Sequence, residues 1–329
     1  MPIGTLADLF GRQMDYLRVS VTEQCHFHCL YCTPMKLLRN PALENTLPPA
    51  DIERLVRIFA ALGIRKVRLT GGEPLIRREI VDIASRLAAI PGIEDLSITT
   101  NGDLLPKLAG PLKAAGVQRI NISIDSLRPD RFTAVTRGGK LERVLDGLRA
   151  ARQAGLRPIK VNCVVMRGQN DDELGDFLDF GAANSVEVRF LELMPTAGGL
   201  SERNAFVSTD EMMESLRGRG YVLHPLHPGG TIALEYGVEP LGTTVGFIAS
   251  VSKKFCSTCS RLRLLANGTL KLCLHGPGDL NLRALLQAGA SDEEVAGAIR
   301  AAVFRKPWGS EFTEKIFTPS VTNMMAVGG

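Results

Sequence analysis

An α/β fold built on an open, partial barrel of six βα units is predicted by three observations. Short β-branched runs alternate with helix-like segments from residue 16 to about residue 194. Such alternation implies parallel strands joined by right-handed crossovers. Each run also sorts its residues by polarity with a period of two. After residue 195 the chain turns rich in Gly and Pro and its strands become short. Six units fall short of the eight that close a TIM-type barrel, so one side stays open. The expected division is 1–195 for the barrel and 196–329 for a C-terminal extension packed against it.

The strands are expected at 16–22, 66–70, 96–100, 119–125, 158–166 and 186–194. Helices lie between them, among others at 51–62, 78–89, 141–154 and 171–183. In the first strand Arg18, Ser20 and Thr22 share one face and Leu17, Val19 and Val21 the other. The second sets Arg68 and Thr70 against Val67 and Leu69. The third sets Ser97, Thr99 and Asn101 against Leu96 and Ile98. The fourth sets Asn121, Ser123 and Asp125 against three isoleucines, and the fifth sets Lys160 and Asn162 against Ile159, Val161 and Cys163. Outer helices need the apolar face, so the polar face points inward. A closed barrel fills its interior with Val, Ile and Leu. This one is lined with cations, hydroxyls and amides, a chamber for a polar, anionic ligand. A sheet with one solvated face is the plainer alternative, but parallel strands seldom adopt it. The sixth strand, VEVRFLELM, alternates less cleanly and carries no face assignment. Beyond it, short strands are expected at 231–235 and 244–250, with helices at 282–287 and 292–303.

Cys25, Cys29 and Cys32 follow the first strand in the string CHFHCLYC. This spacing delivers three thiolates from one loop, the ligand type that holds iron–sulfur clusters. A cubane has four irons, so three ligands leave one iron open to a small molecule. With S-adenosylmethionine (SAM) chelated there, one cluster electron can break a C–S bond of the sulfonium and release a 5′-deoxyadenosyl radical. The alternative is a zinc knuckle completed by His26 or His28. Zinc motifs, however, usually pair C-x2-C with a second ligand pair. After the second strand, Gly71-Gly72-Glu73-Pro74 lets backbone approach a ligand closely. The cysteine loop, with Tyr31 before its last cysteine, resembles that of the radical SAM superfamily. GGEP is similar to the superfamily's turn whose backbone contacts the amino group of SAM's methionine moiety.

A second group, Cys256-x2-Cys259-x13-Cys273, again supplies three thiolates. Alone it suits a zinc ribbon with His275 as candidate fourth ligand. Beside a radical SAM loop it points to a second 4Fe–4S cluster whose open iron coordinates substrate. Arg261 and Arg263 follow, and positions two apart on a strand point the same way. Their planar forks match phosphate oxygens. With Arg18, Arg68 and Lys160 they make five cations able to face one cavity, about the charge of a triphosphate. Cys163 reads as a small buried hydrophobe, His224 and His227 as surface residues, and Trp308 as packing.

Bulk properties agree with a cytoplasmic enzyme. The 329 residues suffice for one large α/β domain plus an extension. Seven cysteines, six of them in two tight groups, argue for metal binding over a disulfide framework. No apolar run approaches the ~18 residues of a spanning helix, and MPIGTLADLFGR lacks the regions of a signal peptide. A net charge of +4 is too mild for nucleic-acid binding and compatible with a local anion site.

LTGGEP, TTNG, NISIDSL, the Lys160 strand, LELMP and CSTCSRLRLLANGTLKLCL, with the terminal Gly328-Gly329, make a chain-long pattern. It resembles the MoaA family, the GTP 3′,8-cyclases that begin molybdenum cofactor biosynthesis. The resemblance implies two 4Fe–4S clusters and SAM as cofactors and GTP as substrate. It implies GTP contacts from Arg18, Arg68, Thr99, Lys160, Arg261, Leu262 and Arg263, and SAM contacts from Tyr31, Gly72, Ser123 and Met194. The implied lyase reaction takes hydrogen from C3′ of GTP and joins that carbon to guanine C8, giving (8S)-3′,8-cyclo-7,8-dihydroguanosine 5′-triphosphate. A catalytic part for Gly328 and Gly329 is implied too, since glycine can thread a crowded channel. So are a reducing electron donor and a cyclic pyranopterin monophosphate synthase acting on the product; monomer and homodimer are both open. The chain departs from the family at His26, His28 and Thr33, where members more often carry Asn, Arg and Met. Two rivals stand beside this reading. A radical SAM peptide maturase needs a peptide groove and has no use for inward cations. A non-catalytic zinc-binding module is colourless, whereas two cubanes give brown protein with about eight irons.

Overall fold

Polarity sorted with period two decides how the sheet is covered, and the computed structural model describes this over residues 5–32, 46–196, 203–226, 232–276, 278–310 and 324–327. The first elements are β1 Tyr16–Ser20, α1 Pro49–Ala61, β2 Lys66–Thr70, α2 Ile80–Ala88, β3 Asp95–Thr100 and α3 Leu105–Ala114. Then come β4 Arg119–Ser123, α4 Pro129–Thr136, α5 Leu141–Gln153, β5 Ile159–Val165, α6 Leu174–Asn184 and β6 Glu187–Glu192. The C-terminal part adds α7 Thr209–Gly218, β7 Val222–Pro225, β8 Leu234–Glu239, β9 Thr243–Ile248 and β10 Arg261–Leu264. It ends with β11 Thr269–Lys271, β12 Leu280–Asn281, α8 Leu282–Gln287, α9 Asp292–Phe304 and α10 Met324–Val327.

One sheet holds all the strands in the order β12-β11-β10-β1-β2-β3-β4-β5-β6-β9-β8-β7. From β10 through β1 to β6 and on to β9 the neighbours are parallel. Antiparallel hairpins finish both edges. Among the described residues no pairing joins the two ends, so the barrel is open. The region after residue 195 does more than pack against it. Its β9 extends the sheet beside β6 and its β10 beside β1, with Tyr16 level with Arg261. The strand expected at 231–235 begins instead at Leu234 and runs to Glu239, because that stretch pairs with β7 on one side and β9 on the other.

The apolar strand faces behave as their spacing predicts. Leu17, Val19, Val67, Leu69, Leu96, Ile98, Ile120, Ile122 and Val161 are buried in one cluster with Leu55 and Phe59 of α1, Leu87 of α2 and Leu148 of α5. Burying each such side chain contributes roughly 1.5–3 kcal/mol, which fixes the register and therefore the opposite, polar face. Helix ends are set locally. Pro49 starts α1 with Asp51 in its first turn, and capping boxes at Ser208–Glu211 and Ser291–Glu294 start α7 and α9.

Candidate active site

The polar face of the sheet and the loop after β1 enclose one cavity. Cys25, Cys29 and Cys32 line it together with Tyr31, Gly72, Ser123 and Met194, the four residues expected on SAM. Thr99, expected on GTP, lines it as well. Close packing demands the two glycines of GGEP: a Cβ on Gly71 would lie 2.5 Å from the Thr22 carbonyl oxygen, and one on Gly72 2.2 Å from that of Gln24. The Gly72 N–H donates to the Thr22 carbonyl at 2.8 Å and the Glu73 N–H to that of Gln24 at 2.7 Å. The turn therefore holds the lead-in to Cys25. A ligand's ammonium group needs acceptors rather than these N–H donors, and the Glu73 carboxylate, which also lines the cavity, is one.

Glu73 accepts hydrogen bonds from Thr100 Oγ1 and the Asn101 N–H, both at 2.7 Å, and from the Leu75 N–H at 2.9 Å. Burial still pushes its pKa up to about 7. Asp125 accepts from Tyr31 Oη and the Val164 N–H, both at 2.9 Å, and burial pushes it up to about 6. A cation between these two acids would favour their ionised forms, and SAM is cationic at both sulfonium and ammonium. Thr99 Oγ1 and Asn162 Oδ1 are buried with no hydrogen-bond partner among the described residues, and both residues line the cavity. Such orphans fit a site made for a polar ligand. Burial pushes the Cys25 thiol up to about 12 and the Cys29 thiol well above its usual range; metal binding is what makes such buried thiols thiolates. Three cysteines on one cavity wall, beside a buried hydroxyl and amide oxygen that lack partners among the described residues, fit an iron–sulfur cluster with a polar ligand at its open iron.

Arg18, Arg68, Arg261 and Arg263 do not line this cavity, but Thr70, two residues after Arg68 on β2, does, and the register aligns these cations across neighbouring strands. Arg263 of β10 is level with Arg18 of β1, Arg18 with Arg68 of β2, and Arg68 with Ser97 of β3. Arg18, Arg68 and Arg263 are all buried. Burial, with repulsion from Arg18, Arg119 and Arg189, takes Arg68 down to about 10. Burial likewise pushes Arg263 well below its ordinary value, with Arg18 and Arg261 adding to the shift. Arg68 Nε donates to Ser97 Oγ at 3.1 Å, and its guanidinium stands 5.7 Å over the Tyr16 ring. Arg261 Nε is buried with no hydrogen-bond partner among the described residues. Guanidiniums crowded in low dielectric repel one another, and a polyanion would offset that cost. Leu262, between the two arginines of β10, is fully buried in the core, so only its backbone can meet a ligand.

Lys160 does not face the chamber as a bare cation. It is level with Glu187 of β6, pairs with it at 2.6 Å and has Glu235 at 3.9 Å. Arg189 pairs with the same two acids at 2.5 and 2.9 Å. Arg189 escaped the sequence reading because Leu191 shares its face of β6 and breaks the polar alternation.

Cys256 opens a short 3-10 turn, Cys256–Thr258, Cys259 precedes β10 and Cys273 follows β11. The β10–β11 hairpin pairs Arg263 with Lys271, and continuing that register sets Cys273 level with Arg261, near Cys259. Burial opposes ionisation of Cys259, but Lys306, Arg261 and Arg12 outweigh it and hold its pKa below the usual thiol value. At α10, Cys32 of the first group and Leu274, the residue after Cys273, meet one apolar cluster. Met324 and Val327 pack with Leu265, and Cys32, Met194 and Leu274 pack against them. Arg263 Nη1 donates to the Val327 carbonyl at 3.2 Å. Gly328, Gly329, Thr33 and His227 lie outside the described residues. Cys163 is buried on the apolar face, the His224 side chain is exposed, and half-exposed Trp308 stacks edge-on against Phe10. His26 Nε2 lies 3.3 Å from Asp103, which also pairs with Arg143.

An open, mostly parallel sheet with three cysteines over its polar face defines a radical SAM protein. The Radical SAM superfamily model matches residues 19–181, and Molybdenum Cofactor Synthesis C matches residues 186–312. Radical SAM membership implies SAM and a 4Fe–4S cluster. The GTP 3′,8-cyclase of Heliobacterium modesticaldum is 44% identical over 327 residues, covering 98% of this chain and 100% of that relative. The GTP 3′,8-cyclase of Pseudomonas syringae pv. syringae is 42% identical and covers 98% of each chain. The chain belongs to the GTP 3′,8-cyclase family. The crystal structure of Streptococcus suis SuiB bound to S-adenosylmethionine shares the fold, with a TM-score of 0.60 at 16% identity over 88% of this chain and 68% of that one. Among the described residues no helix is long and apolar enough to cross a membrane.

Proposed function

We propose that this chain cyclises GTP to (8S)-3′,8-cyclo-7,8-dihydroguanosine 5′-triphosphate, the first step of molybdenum cofactor biosynthesis. The observation that carries the reading is the buried row Arg263, Arg18 and Arg68, level across three strands, one of which reaches the cysteine-lined cavity at Thr70. When bound, the first cluster and SAM would supply 5′-deoxyadenosyl radical chemistry for hydrogen removal at C3′ of GTP and C3′–C8 bond formation, with one electron from the reducing donor and one proton completing the dihydro product. The protein's part is to bind and orient. Arg18, Arg68, Arg261 and Arg263 would neutralise the triphosphate and so hold the ribose at a fixed place against the cavity, a proximity effect. Lys160, oriented by Glu187, and the Thr99 hydroxyl would complete the GTP contacts, with Leu262 contributing backbone. Tyr31, Gly72, Ser123 and Met194 would hold SAM, with Glu73 and Asp125 balancing its positive charges.

Cys256, Cys259 and Cys273 would hold a second 4Fe–4S cluster, which supplies an open iron for the guanine base. A catalytic part for Gly328 and Gly329, which follow Val327 in the chain, belongs to the same reading. We further assign the chain to the cytoplasm, divide it at 195/196, and place a reducing electron donor before it and a cyclic pyranopterin monophosphate synthase after it. A radical SAM peptide maturase is the rival reading, but buried guanidiniums give a neutral peptide nothing to neutralise. GTP deuterated at C3′ tests the reading under anaerobic, reducing conditions. Deuterium recovered in 5′-deoxyadenosine supports it, and unlabelled 5′-deoxyadenosine beside unchanged GTP contradicts it.

A further inference from the structure

Lys306 is 3% exposed, and its Nζ donates to the carbonyls of Arg261, at 2.9 Å, and of Leu272. Arg261 stands two residues after Cys259 and Leu272 one residue before Cys273. One ammonium thus ties together the two backbone segments that present these cysteines. Carbonyls satisfy its protons but bring no negative charge, and a buried cation without a counter-ion is costly. Burial pushes the Lys306 pKa below its ordinary value; negative charge on Cys259 and Cys273 opposes that shift, and Arg12 and Arg263 add to it. Arg12, itself buried, treats the third cysteine alike. Its Nη1 donates to the carbonyls of Cys256 and Trp308 and its Nη2 to that of Pro307, each at 2.7 Å, while Asp8 pairs with its Nε at 2.6 Å. Lys306 and Arg12 therefore hold the backbone at or beside all three cysteines. The first cysteine group has the opposite setting, with the carboxylates of Glu73 and Asp125 on the same cavity wall.

We propose that Lys306 is a positioning residue for the second cluster: it fixes the segments bearing Cys259 and Cys273 and holds beside them a buried positive charge that raises the cluster's reduction potential. This rests on reading the second cysteine group as a 4Fe–4S site. Reduction adds negative charge, so a fixed cation favours the reduced form, and charge and hydrogen bonding near a cluster are what tune its potential.

Full-length protein reconstituted anaerobically tests this by iron analysis and by a redox titration followed with electron paramagnetic resonance. The variant with Cys256, Cys259 and Cys273 all changed to Ala identifies the first cluster's signal. Parent protein is expected to carry about eight irons and two signals. About four irons and one signal would overturn the second-cluster reading and this assignment with it. With two clusters present, Lys306→Met is expected to move the second signal to a more negative potential, or to lose it with about half the iron. The first signal and the 5′-deoxyadenosine made from SAM alone should be unchanged. Lys306→Arg, which keeps the charge, is expected to titrate closer to the parent than Lys306→Met does. An unaltered second potential and iron content in Lys306→Met overturns the proposal. So does equal loss of both clusters in both variants, which would mark a general role in folding.

Discussion

Replacing Arg68 by Met is expected to stabilise the ligand-free chain and weaken GTP binding at the same time. Arg68 is 8% exposed, and burial together with its arginine neighbours takes its pKa from the ordinary arginine range down to about 10. A base whose folded pKa lies below its unfolded one opposes folding while it stays protonated. That cost is full at neutral pH and fades only as pH rises above about 10. Its size is about 3 kcal/mol. The hydrogen bond to Ser97 and the ring of Tyr16 offset part of it, so removing the charge should yield a net gain of about 1–2 kcal/mol. Thermal unfolding should show this as a melting temperature a few degrees higher. Affinity for GTP should move the other way. Losing a charge-assisted contact of about 1.5–3 kcal/mol lowers it roughly 10- to 100-fold, with guanosine affinity nearly unchanged. Thermal melts of reconstituted protein, paired with calorimetric titrations of GTP and guanosine, measure both effects. A Met variant that melts lower than the parent yet binds GTP at parental affinity would refute the reasoning.

Changing Cys25, Cys29 and Cys32 together to Ala should remove one cubane and all 5′-deoxyadenosine formation, since each supplies one of only three thiolates; undiminished SAM cleavage contradicts the assignment. The matching change at Cys256, Cys259 and Cys273 should spare the first cluster, weaken GTP binding and stop cyclisation; parental product formation would make the second group structural. Deleting Gly328 and Gly329 should leave iron content and GTP affinity largely intact while abolishing the cyclised product, and mass spectrometry of anaerobic turnovers decides it.

Local pattern revealed the central sheet well. Leu17 and Val19 against Arg18 and Ser20, or Ile120 and Ile122 against Asn121 and Ser123, assign faces by period alone; the apolar faces are buried against the helices, and Ser123 of the polar faces lines the cavity. Where elements meet across long sequence separations, pattern gave little. The pairing of Tyr16 with Arg261 is a matter of register between distant segments, so β9 and β10 as extensions of the same sheet were not legible. Helix α3 carries Pro106 at its start and Pro111 within, which erases the usual helical signal. The cysteine loops stood out because thiolate spacing is local chemistry. Glu187 and Glu235, which pair with Lys160 and Arg189, did not, because only sheet register brings the four side chains together. Lys306 was invisible for the same reason: its partners lie 45 and 34 residues away.

The central claim is that one chamber brings a SAM-derived radical to GTP. Reconstituted protein, incubated anaerobically with a reductant, SAM and GTP, is assayed by mass spectrometry for both products. The account predicts 3′,8-cyclised dihydro-GTP accumulating together with 5′-deoxyadenosine, and neither product without SAM. Abundant 5′-deoxyadenosine with GTP recovered unchanged, under conditions where GTP is bound, would contradict it.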